Sequence, residues 1–119
     1  MIQINKKEYE LKYNIGRIEL IENVTKKPTL AALSESGGML GVSSLKAHFA
    51  YGLKEAGSDI FVPIKEGMKL AEELIQAEGY SKVCGLVINI LERDCPFFFR
   101  AEKAILNIRA ASLTRSTTN

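Results

Sequence analysis

The 119-residue chain contains few of the side chains from which metal centres and disulfide scaffolds are built. Cysteine occurs twice, at Cys84 and Cys95, and histidine once, at His48. Two thiols do not make a disulfide framework in a chain of this length, and one histidine does not complete a zinc site with two cysteines outside a CxxC motif. We therefore expect both cysteines to be free, buried and structural, and His48 to be a surface or half-buried helix residue without a catalytic partner.

Long apolar runs and a strong net charge are also missing. No stretch approaches the roughly 18 apolar residues of a membrane-spanning helix, and residues 1–7 contain no apolar core of a signal peptide. The formal charge is +2, from 16 basic and 14 acidic residues, which is too small to make nucleic acid the default partner. Together with the low cysteine content, these features predict a cytoplasmic protein without membrane contact.

Glycines are clustered in one segment, where they could suggest phosphate binding. Gly37, Gly38 and Gly41 do not form a GxGxxG motif, and no GK[ST] motif follows them, so a flexible loop is the better interpretation. The sequence also shows no nucleophile–base pair and no cluster of metal ligands. We expect no enzyme activity, no cofactor and no metal, which leaves the binding of other proteins as the predicted function.

The residues that are present have the patterning of one globular domain. Apolar residues make up 46% of the chain and charged residues 25%, as in an ordinary folded domain. Apolar residues that alternate with polar ones predict a β-hairpin over residues 1–13. Apolar residues at helical spacing then predict a short helical turn over residues 29–35 and four helices, over residues 14–24, 43–56, 64–78 and 80–93. The predicted fold is α+β and mainly helical, with an N-terminal β-hairpin, a bundle of about four helices and a C-terminal tail.

Several residues mark the predicted ends of these elements. Asn5 is suited to the hairpin turn, because it adopts the left-handed conformation readily. Asn14 is a candidate N-cap of the first helix, and Ser43 or Ser44 of the second. Gly57 is a candidate C-cap of that second helix.

The predicted helix over residues 80–93 has a wide apolar face. Its apolar residues recur at the i, i+3, i+4, i+7, i+8 spacing of an amphipathic helix: Val83, Leu86, Val87, Ile90 and Leu91. Cys84 and Ile88 widen this face further. A helix that is apolar around so much of its girth is usually the central one or contacts a second partner, so we include Cys84 and Ile88 among the candidate partner-binding residues.

The end of the chain is the most suggestive segment for partner binding. We divide the chain into a core domain, residues 1–96, and a C-terminal extension, residues 97–119, that is partly helical and then mobile. Three consecutive phenylalanines at its start cannot all face one small core, so at least one should be exposed or contact a partner. Basic residues follow, which would suit an acidic protein surface or nucleic acid, although a solvated tail is the simpler interpretation. The candidate residues are Phe97, Phe98, Phe99, Arg100, Lys103 and Arg109.

Three segments have a recognisable form when taken in order. Residues 1–13 are MIQINKKEYELKY, residues 18–22 are IELIE, and residues 41–54 are GVSSLKAHFAYGLK. They resemble small tail assembly chaperones of long-tailed bacteriophages and prophages, which commonly begin I-x-I-N-G-K-x-Y-x-L and continue into a helix with an I/L-E-x-x-E-like stretch. In that family a later loop leads into a helix ending A-G-L-K-like. The likeness spans roughly residues 1–95 in the order of elements, and Lys6 replaces the usual turn glycine.

The resemblance implies a chaperone without enzyme activity. Members of this family hold or coat the tape measure protein, self-associate, recruit tail tube subunits and are absent from the finished virion. Many are made in two lengths by programmed ribosomal frameshifting, for which consecutive phenylalanine codons at 97–99 could supply a slippery run. The resemblance therefore implies a homo-oligomer in the cytoplasm of a bacterial host, with the tape measure protein and the tail tube protein as partners.

Two other functions are compatible with the sequence. A permanent structural tail or connector protein would also bury apolar surface in its partners, and its presence in the mature particle would distinguish it. A small nucleic-acid-binding regulator would need the predicted helices over residues 43–56 and 64–78 to form a helix-turn-helix. The connector that ends at Pro63 is too long for the usual tight turn, and the second of these helices is acidic, which is unfavourable beside phosphate.

Overall fold

The computed structural model describes residues 2–35 and 37–96, except for the side chain of Glu35. These residues form three strands and five helices in the order β1 (Ile2–Ile4), β2 (Lys7–Leu11), α1 (Ile15–Thr25), α2 (Thr29–Glu35), α3 (Val42–Gly52), β3 (Leu53–Glu55), α4 (Ile64–Glu78) and α5 (Tyr80–Asp94). The predicted α+β, mainly helical fold with an N-terminal hairpin is confirmed. The predicted C-terminal extension, residues 97–119, lies outside the described residues.

The hairpin forms where the alternating apolar residues predict it. β1 and β2 pair antiparallel with Ile4 opposite Lys7, so that Asn5 and Lys6 make a two-residue turn. Both turn residues have positive φ, 52° at Asn5 and 67° at Lys6, as a type I′ turn requires. The turn is therefore the one that matches the twist of the strands, with a lysine where glycine is usually found.

A third strand lies where the sequence predicts the end of a helix. The helix predicted over residues 43–56 ends at Gly52, and Leu53–Glu55 then pair antiparallel with β2. Leu53 is fully buried opposite Leu11. Its spacing in the sequence predicts a buried position in a helix, but the residue is buried in a strand that pairs with the hairpin. The helical prediction is wrong here because strand pairing, a tertiary contact, outweighs local propensity.

The predicted N-cap of α1 is confirmed, whereas the predicted caps of α3 are wrong. In α1 the Oδ1 of Asn14 accepts the backbone N–H of Arg17 at 2.8 Å, which confirms the predicted N-cap. α3 begins before both Ser43 and Ser44 and has no side-chain cap hydrogen bond, so those two predicted caps are wrong. Gly57 does not end a helix either, because it lies in the turn after β3 with a φ of 78°.

α3 is the centre of the helical layer and packs against α1, α4 and α5. Six of its eleven residues are buried: Leu45, Ala47, His48, Phe49, Ala50 and Gly52. Its crossing with α4 is close, since a Cβ added to Gly67 would lie 3.0 Å from the Cα of Ala50. At its last residue a Cβ added to Gly52 would lie 2.5 Å from the Tyr13 ring. The small residues at these two positions let α4 and the end of the hairpin lie close against α3.

Candidate protein-binding groove

An apolar groove runs between the hairpin and α5. Two adjoining recesses form it, with volumes of about 260 Å³ and 130 Å³, and both are lined by Ile2 and Leu86. The larger recess continues to Leu74 of α4 and Val83 of α5, and the smaller one to Ile90 near the end of α5. We call this surface the β1–α5 groove.

α5 forms one wall of the groove with part of its wide apolar face. Val83, Val87 and Leu91 are buried against the core. Leu86 and Ile90 are half-buried and lie four residues apart, so they share one flank of that face. α5 therefore has more apolar surface than its contact with the core covers, and the uncovered flank borders the groove.

The other wall is a free edge of the sheet. The strand order is β1-β2-β3, so β1 has a strand neighbour on one side. Ile4 and Lys7 flank the two-residue turn and pair with each other, which directs the backbone N–H and C=O of Gln3 outward. Gln3 also lines the larger recess. An extended segment placed in the groove would thus meet free main-chain groups of β1.

The opposite edge of the sheet is blocked. Lys54 of β3 makes a bridge to Phe61, and the Val62 N–H donates to the Leu53 carbonyl at 2.9 Å. The connector between β3 and α4 therefore covers the β3 edge. Over residues 2–35 and 37–96, no strand or connector covers the outer edge of β1 in this way.

Charged side chains at the two ends of the groove are paired within the protein. At the end near the α4–α5 turn, Nζ of Lys82 lies 2.7 Å from Oε2 of Glu78. At the other end, Nε of Arg93 lies 2.7 Å from Oδ1 of Asp94. The groove is consequently an apolar surface between neutralised ends, and it suits an uncharged segment better than a charged one.

Arg93 and Asp94 also fasten the end of α5 to the hairpin. Nη2 of Arg93 donates to the Leu11 carbonyl at 3.0 Å, and Asp94 accepts the backbone N–H of Tyr13 at 2.9 Å. Partial burial acts to raise the pKa of Asp94, but the hydrogen bonds from Arg93 and the Tyr13 N–H outweigh it and lower that pKa. The hydrogen bond with Asp94 raises the pKa of Arg93. Both groups are charged at neutral pH, and their hydrogen bonds fix the width of the groove at this end.

The structure separates the residues predicted to bind a partner. Cys84 is completely buried, so it does not form part of a contact surface, and its inclusion among those residues is wrong. The prediction that Cys84 and Cys95 are free and buried is confirmed. Ile88 is half-buried, and it lies about 160° around α5 from Leu86 and Ile90 and therefore outside the groove. The other candidates lie outside the described residues: Phe97, Phe98, Phe99, Arg100, Lys103 and Arg109.

The glycine-rich segment is fastened to α5 at its far end. Leu40 is fully buried, its N–H donates to the Cys84 Sγ at 3.2 Å, and its carbonyl accepts the Tyr80 hydroxyl. The interpretation of this segment as a plain flexible loop therefore fails at Leu40, although Gly37 and Gly38 are exposed. Cys84 has a structural role in holding the loop.

His48 is buried, and the expectation of a surface or half-buried position is wrong. Its Nδ1 lies 2.7 Å from the Ser44 carbonyl, and its Nε2 lies 3.1 Å from Oγ1 of Thr29. Because a carbonyl can only accept, the neutral ring carries its proton on Nδ1, and Nε2 accepts the Thr29 hydroxyl. Burial lowers the pKa of His48. The ring is a neutral link between α3 and the start of α2.

Exposed apolar side chains also occur away from the groove. Leu20 and Val24 lie four residues apart on α1, with 42% and 54% of their surfaces exposed. They have the same chemistry and the same helical spacing as Leu86 and Ile90. This pair is consequently a matched control for the groove.

The described residues bring no three His, Cys, Asp or Glu side chains close enough together to hold a metal ion. None of the described helices has the length and apolar character of a membrane span. Comparison of the chain with protein-family models, curated proteins and solved structures gives no match. A functional proposal therefore rests on the sequence resemblance and on the groove.

Sequence reasoning predicted the wide apolar face of α5 but did not identify the groove. The spacing of Leu86 and Ile90 marks them as part of the apolar face of α5, but it does not show which flank stays open. That depends on where the hairpin packs, as does the position of Ile2 at the groove. The signal in the sequence was the number of apolar positions on α5, which exceeds what one contact can bury.

Proposed function

We propose that this chain is a non-catalytic tail assembly chaperone of a long-tailed phage or prophage, which binds the tape measure protein and helps recruit tail tube subunits. The family in this proposal comes from the sequence resemblance. Two local structures agree with what the resemblance implies. The first segment forms a hairpin with a two-residue turn, and residues 41–52 lead from a loop into α3, although Leu53 and Lys54 then belong to β3 and not to the helix.

The β1–α5 groove is the observation that carries the proposal. A partner segment in the groove would bury the half-exposed Leu86 and Ile90 and form main-chain hydrogen bonds with β1. Because the charges at the groove ends are paired with each other, they would not repel a partner helix or strand of low charge. A few half-buried side chains provide a moderate affinity, which suits a protein that holds a client and then releases it.

The test is co-purification of the chain with the tape measure protein encoded by the same phage or prophage. The groove variant carries Leu86→Glu and Ile90→Glu. Burying the remaining surface of each native side chain contributes roughly 1 kcal/mol, and a tenfold change in Kd corresponds to about 1.4 kcal/mol. We therefore expect the groove variant to bind the tape measure protein at least about tenfold more weakly.

The control variant carries Leu20→Glu and Val24→Glu on α1, the same change at the same spacing. It should bind like the native chain, and circular dichroism should show that both variants are folded. A folded groove variant with native affinity would exclude the groove as the binding surface. Failure of the native chain to bind the tape measure protein at all would overturn the proposed function.

We further propose that the protein self-associates, acts in the cytoplasm of its bacterial host and is absent from the finished virion. Light scattering over a range of concentrations should give a mass above that of the monomer, and a monomer at high concentration would contradict self-association. Mass spectrometry of purified particles should not find the chain at a stoichiometric level. Stoichiometric presence would instead favour a permanent structural tail protein.

The helix-turn-helix alternative has geometry against it. α3 and α4 are separated by residues 53–63, which include β3, whereas a helix-turn-helix joins its helices by a turn of about 3–4 residues. β3 is also paired with the hairpin, so it does not act as a turn. The nucleic-acid-binding function is therefore not proposed.

A further inference from the structure

We propose that the β1–α5 groove binds the same groove of a second copy of this chain, so that self-pairing closes the site to the tape measure protein. The occupant is thus another molecule of the same protein, and the competition with the tape measure protein rests on the proposed function. The main-chain groups of β1, the apolar residues on both walls of the groove and the charges at its ends support this assignment.

The main-chain groups of β1 fit a twofold partner. Gln3 is the middle residue of Ile2–Ile4 and directs its backbone N–H and C=O away from β2. A second β1 in antiparallel orientation therefore pairs with Gln3 opposite Gln3, and the two residues exchange two main-chain hydrogen bonds. Within β1 no other register brings outward groups of both strands together, so the pairing has one arrangement.

The apolar residues of β1 match in the same arrangement. Ile2 of one copy lies opposite Ile4 of the other. Ile4 is buried in the core, and Ile2, on the same face of the strand, is half-buried. The core face of the sheet thus continues from one copy into the other, and the exposed part of Ile2 is covered.

The open flank of α5 lies on the same side of the contact. A twofold axis perpendicular to the sheet turns the core faces of both copies to one side and makes the two α5 helices antiparallel. Ile2 and Leu86 line both recesses, so they mark the middle of the groove, where the axis passes. Leu86 and Ile90 of each copy therefore face the groove of the other and lose exposed apolar surface.

The charges at the groove ends suit an antiparallel copy. Glu78 and Lys82 are paired at one end, and Arg93 and Asp94 at the other. Arg93 follows Leu86 along α5 at nearly the distance at which Glu78 precedes it, so Glu78 of one copy meets Arg93 of the second. Each end carries an acid and a base, and the contact therefore brings no surplus of one sign together.

A disulfide across the axis tests the register. Facing Cα atoms of a hydrogen-bonded antiparallel pair lie about 5.5 Å apart, within the roughly 4.4–6.8 Å that a disulfide spans. We expect the Gln3→Cys variant to form a disulfide-linked dimer with oxidised glutathione, seen on a non-reducing gel. The native thiols, Cys84 and Cys95, are buried and should stay reduced.

The matched control for the disulfide is Glu8→Cys. Glu8 is exposed like Gln3 and lies opposite it on β2. In the paired sheet the two Glu8 positions would be three strand spacings apart, about 14 Å, which is too far for a disulfide. The Glu8→Cys variant should therefore remain unlinked under the same conditions.

A second set of variants tests the pairing without added cysteines. Gln3→Pro removes the outward N–H at a position where an edge strand tolerates proline, whereas Gln3→Ala keeps it. Sedimentation equilibrium should give a dimer dissociation constant at least about tenfold larger for Gln3→Pro than for Gln3→Ala, with both variants folded by circular dichroism. The Leu86→Glu and Ile90→Glu variant should weaken the dimer by at least as much, and the Leu20→Glu and Val24→Glu variant should not.

Three results would overturn the pairing. The native chain could remain a monomer at high concentration, or the two cysteine variants could give equal disulfide yields. A folded Gln3→Pro variant could also dimerise like the native chain, which would place the contact between copies elsewhere on the surface.

The Gln3→Cys variant also separates the pairing from the proposed function. In its reduced form it should bind the tape measure protein, and the oxidised dimer should bind at least about tenfold more weakly, because the second copy already holds β1 and the open flank of α5. Equal binding in both forms would refute the competition for the groove. Binding in neither form, with the disulfide still made, would count against the proposed function and leave the pairing intact.

Discussion

The substitution Gly52→Ala tests the close approach between α3 and the residue that follows the hairpin. A Cβ at this position would lie 2.5 Å from Cε1 and 2.6 Å from Cζ of the Tyr13 ring. Tyr13 cannot move away easily, because its ring is buried and its hydroxyl donates to the His48 carbonyl at 2.8 Å. Either the ring shifts and this hydrogen bond is lost, or the end of α3 moves away from the hairpin.

The expected loss of stability follows from these two contacts. Overpacking of a buried site costs about 1–3 kcal/mol, and loss of the hydrogen bond between Tyr13 and His48 adds about 1 kcal/mol. The total, about 2–4 kcal/mol, is a large part of the 5–15 kcal/mol typical of a folded domain. At a urea dependence of about 1–3 kcal/mol per molar, the unfolding midpoint should fall by roughly 1–2 M.

Urea unfolding followed by circular dichroism measures this loss, with all proteins at one concentration because self-association changes the apparent stability. Gly85→Ala in α5 is the matched control, since its added Cβ meets no atom within 4 Å. It should stabilise the protein by about 0.5–1 kcal/mol, the ordinary effect of replacing glycine in a helix.

The reasoning also requires that the two residues be coupled. In a Tyr13→Ala background the cost of Gly52→Ala should mostly disappear, because the ring it clashes with is gone. A Gly52→Ala variant within about 0.5 kcal/mol of the native protein would refute the reasoning, as would an equal cost in both backgrounds.

Three further predictions follow from buried or strained residues. Because burial lowers the pKa of His48 below 6.5, the unfolded chain is protonated first as the pH falls. Stability should therefore be complete above that value and fall below it by at most about 1.4 kcal/mol per pH unit, and urea midpoints should show a smaller slope for His48→Gln. Cys84 and Cys95 are buried, so an aromatic disulfide reagent should label neither thiol in the native protein and both in denaturant, and rapid native labelling would contradict their burial. Lys6→Gly should stabilise the protein by up to about 1 kcal/mol, because the left-handed conformation costs a lysine about 1–2 kcal/mol, whereas a lower melting temperature would show that Lys6 is not strained.

Local signals were sufficient for most of the fold. The two-residue turn at Asn5 and Lys6, the cap at Asn14 and the helical spacing of α4 and α5 each depend on residues close together in the sequence. Such patterns act before tertiary contacts form and are visible in one sequence. β3 was missed because Leu53 continues the four-residue spacing of Leu45 and Phe49, and the strand exists through its pairing with β2.

The candidate site was less accessible to sequence reasoning. The prediction that α5 has an excess of apolar surface is consistent with the groove, but the choice of Cys84 and Ile88 pointed away from the open flank. Which flank is open depends on the position of β1. The sequence of residues 80–94 does not indicate where β1 packs. The burial of His48 was missed for a similar reason, since its partner Thr29 lies in another helix.

The blocked edge at β3 limits the assemblies that this sheet can form. As far as residues 2–35 and 37–96 define it, each molecule offers one strand edge for pairing, at β1. Two copies joined through β1 would share a twofold axis, and the combined sheet would end at a blocked β3 edge on either side. Through the described strands the pair would be closed, so a larger ring or filament would need contacts outside this sheet.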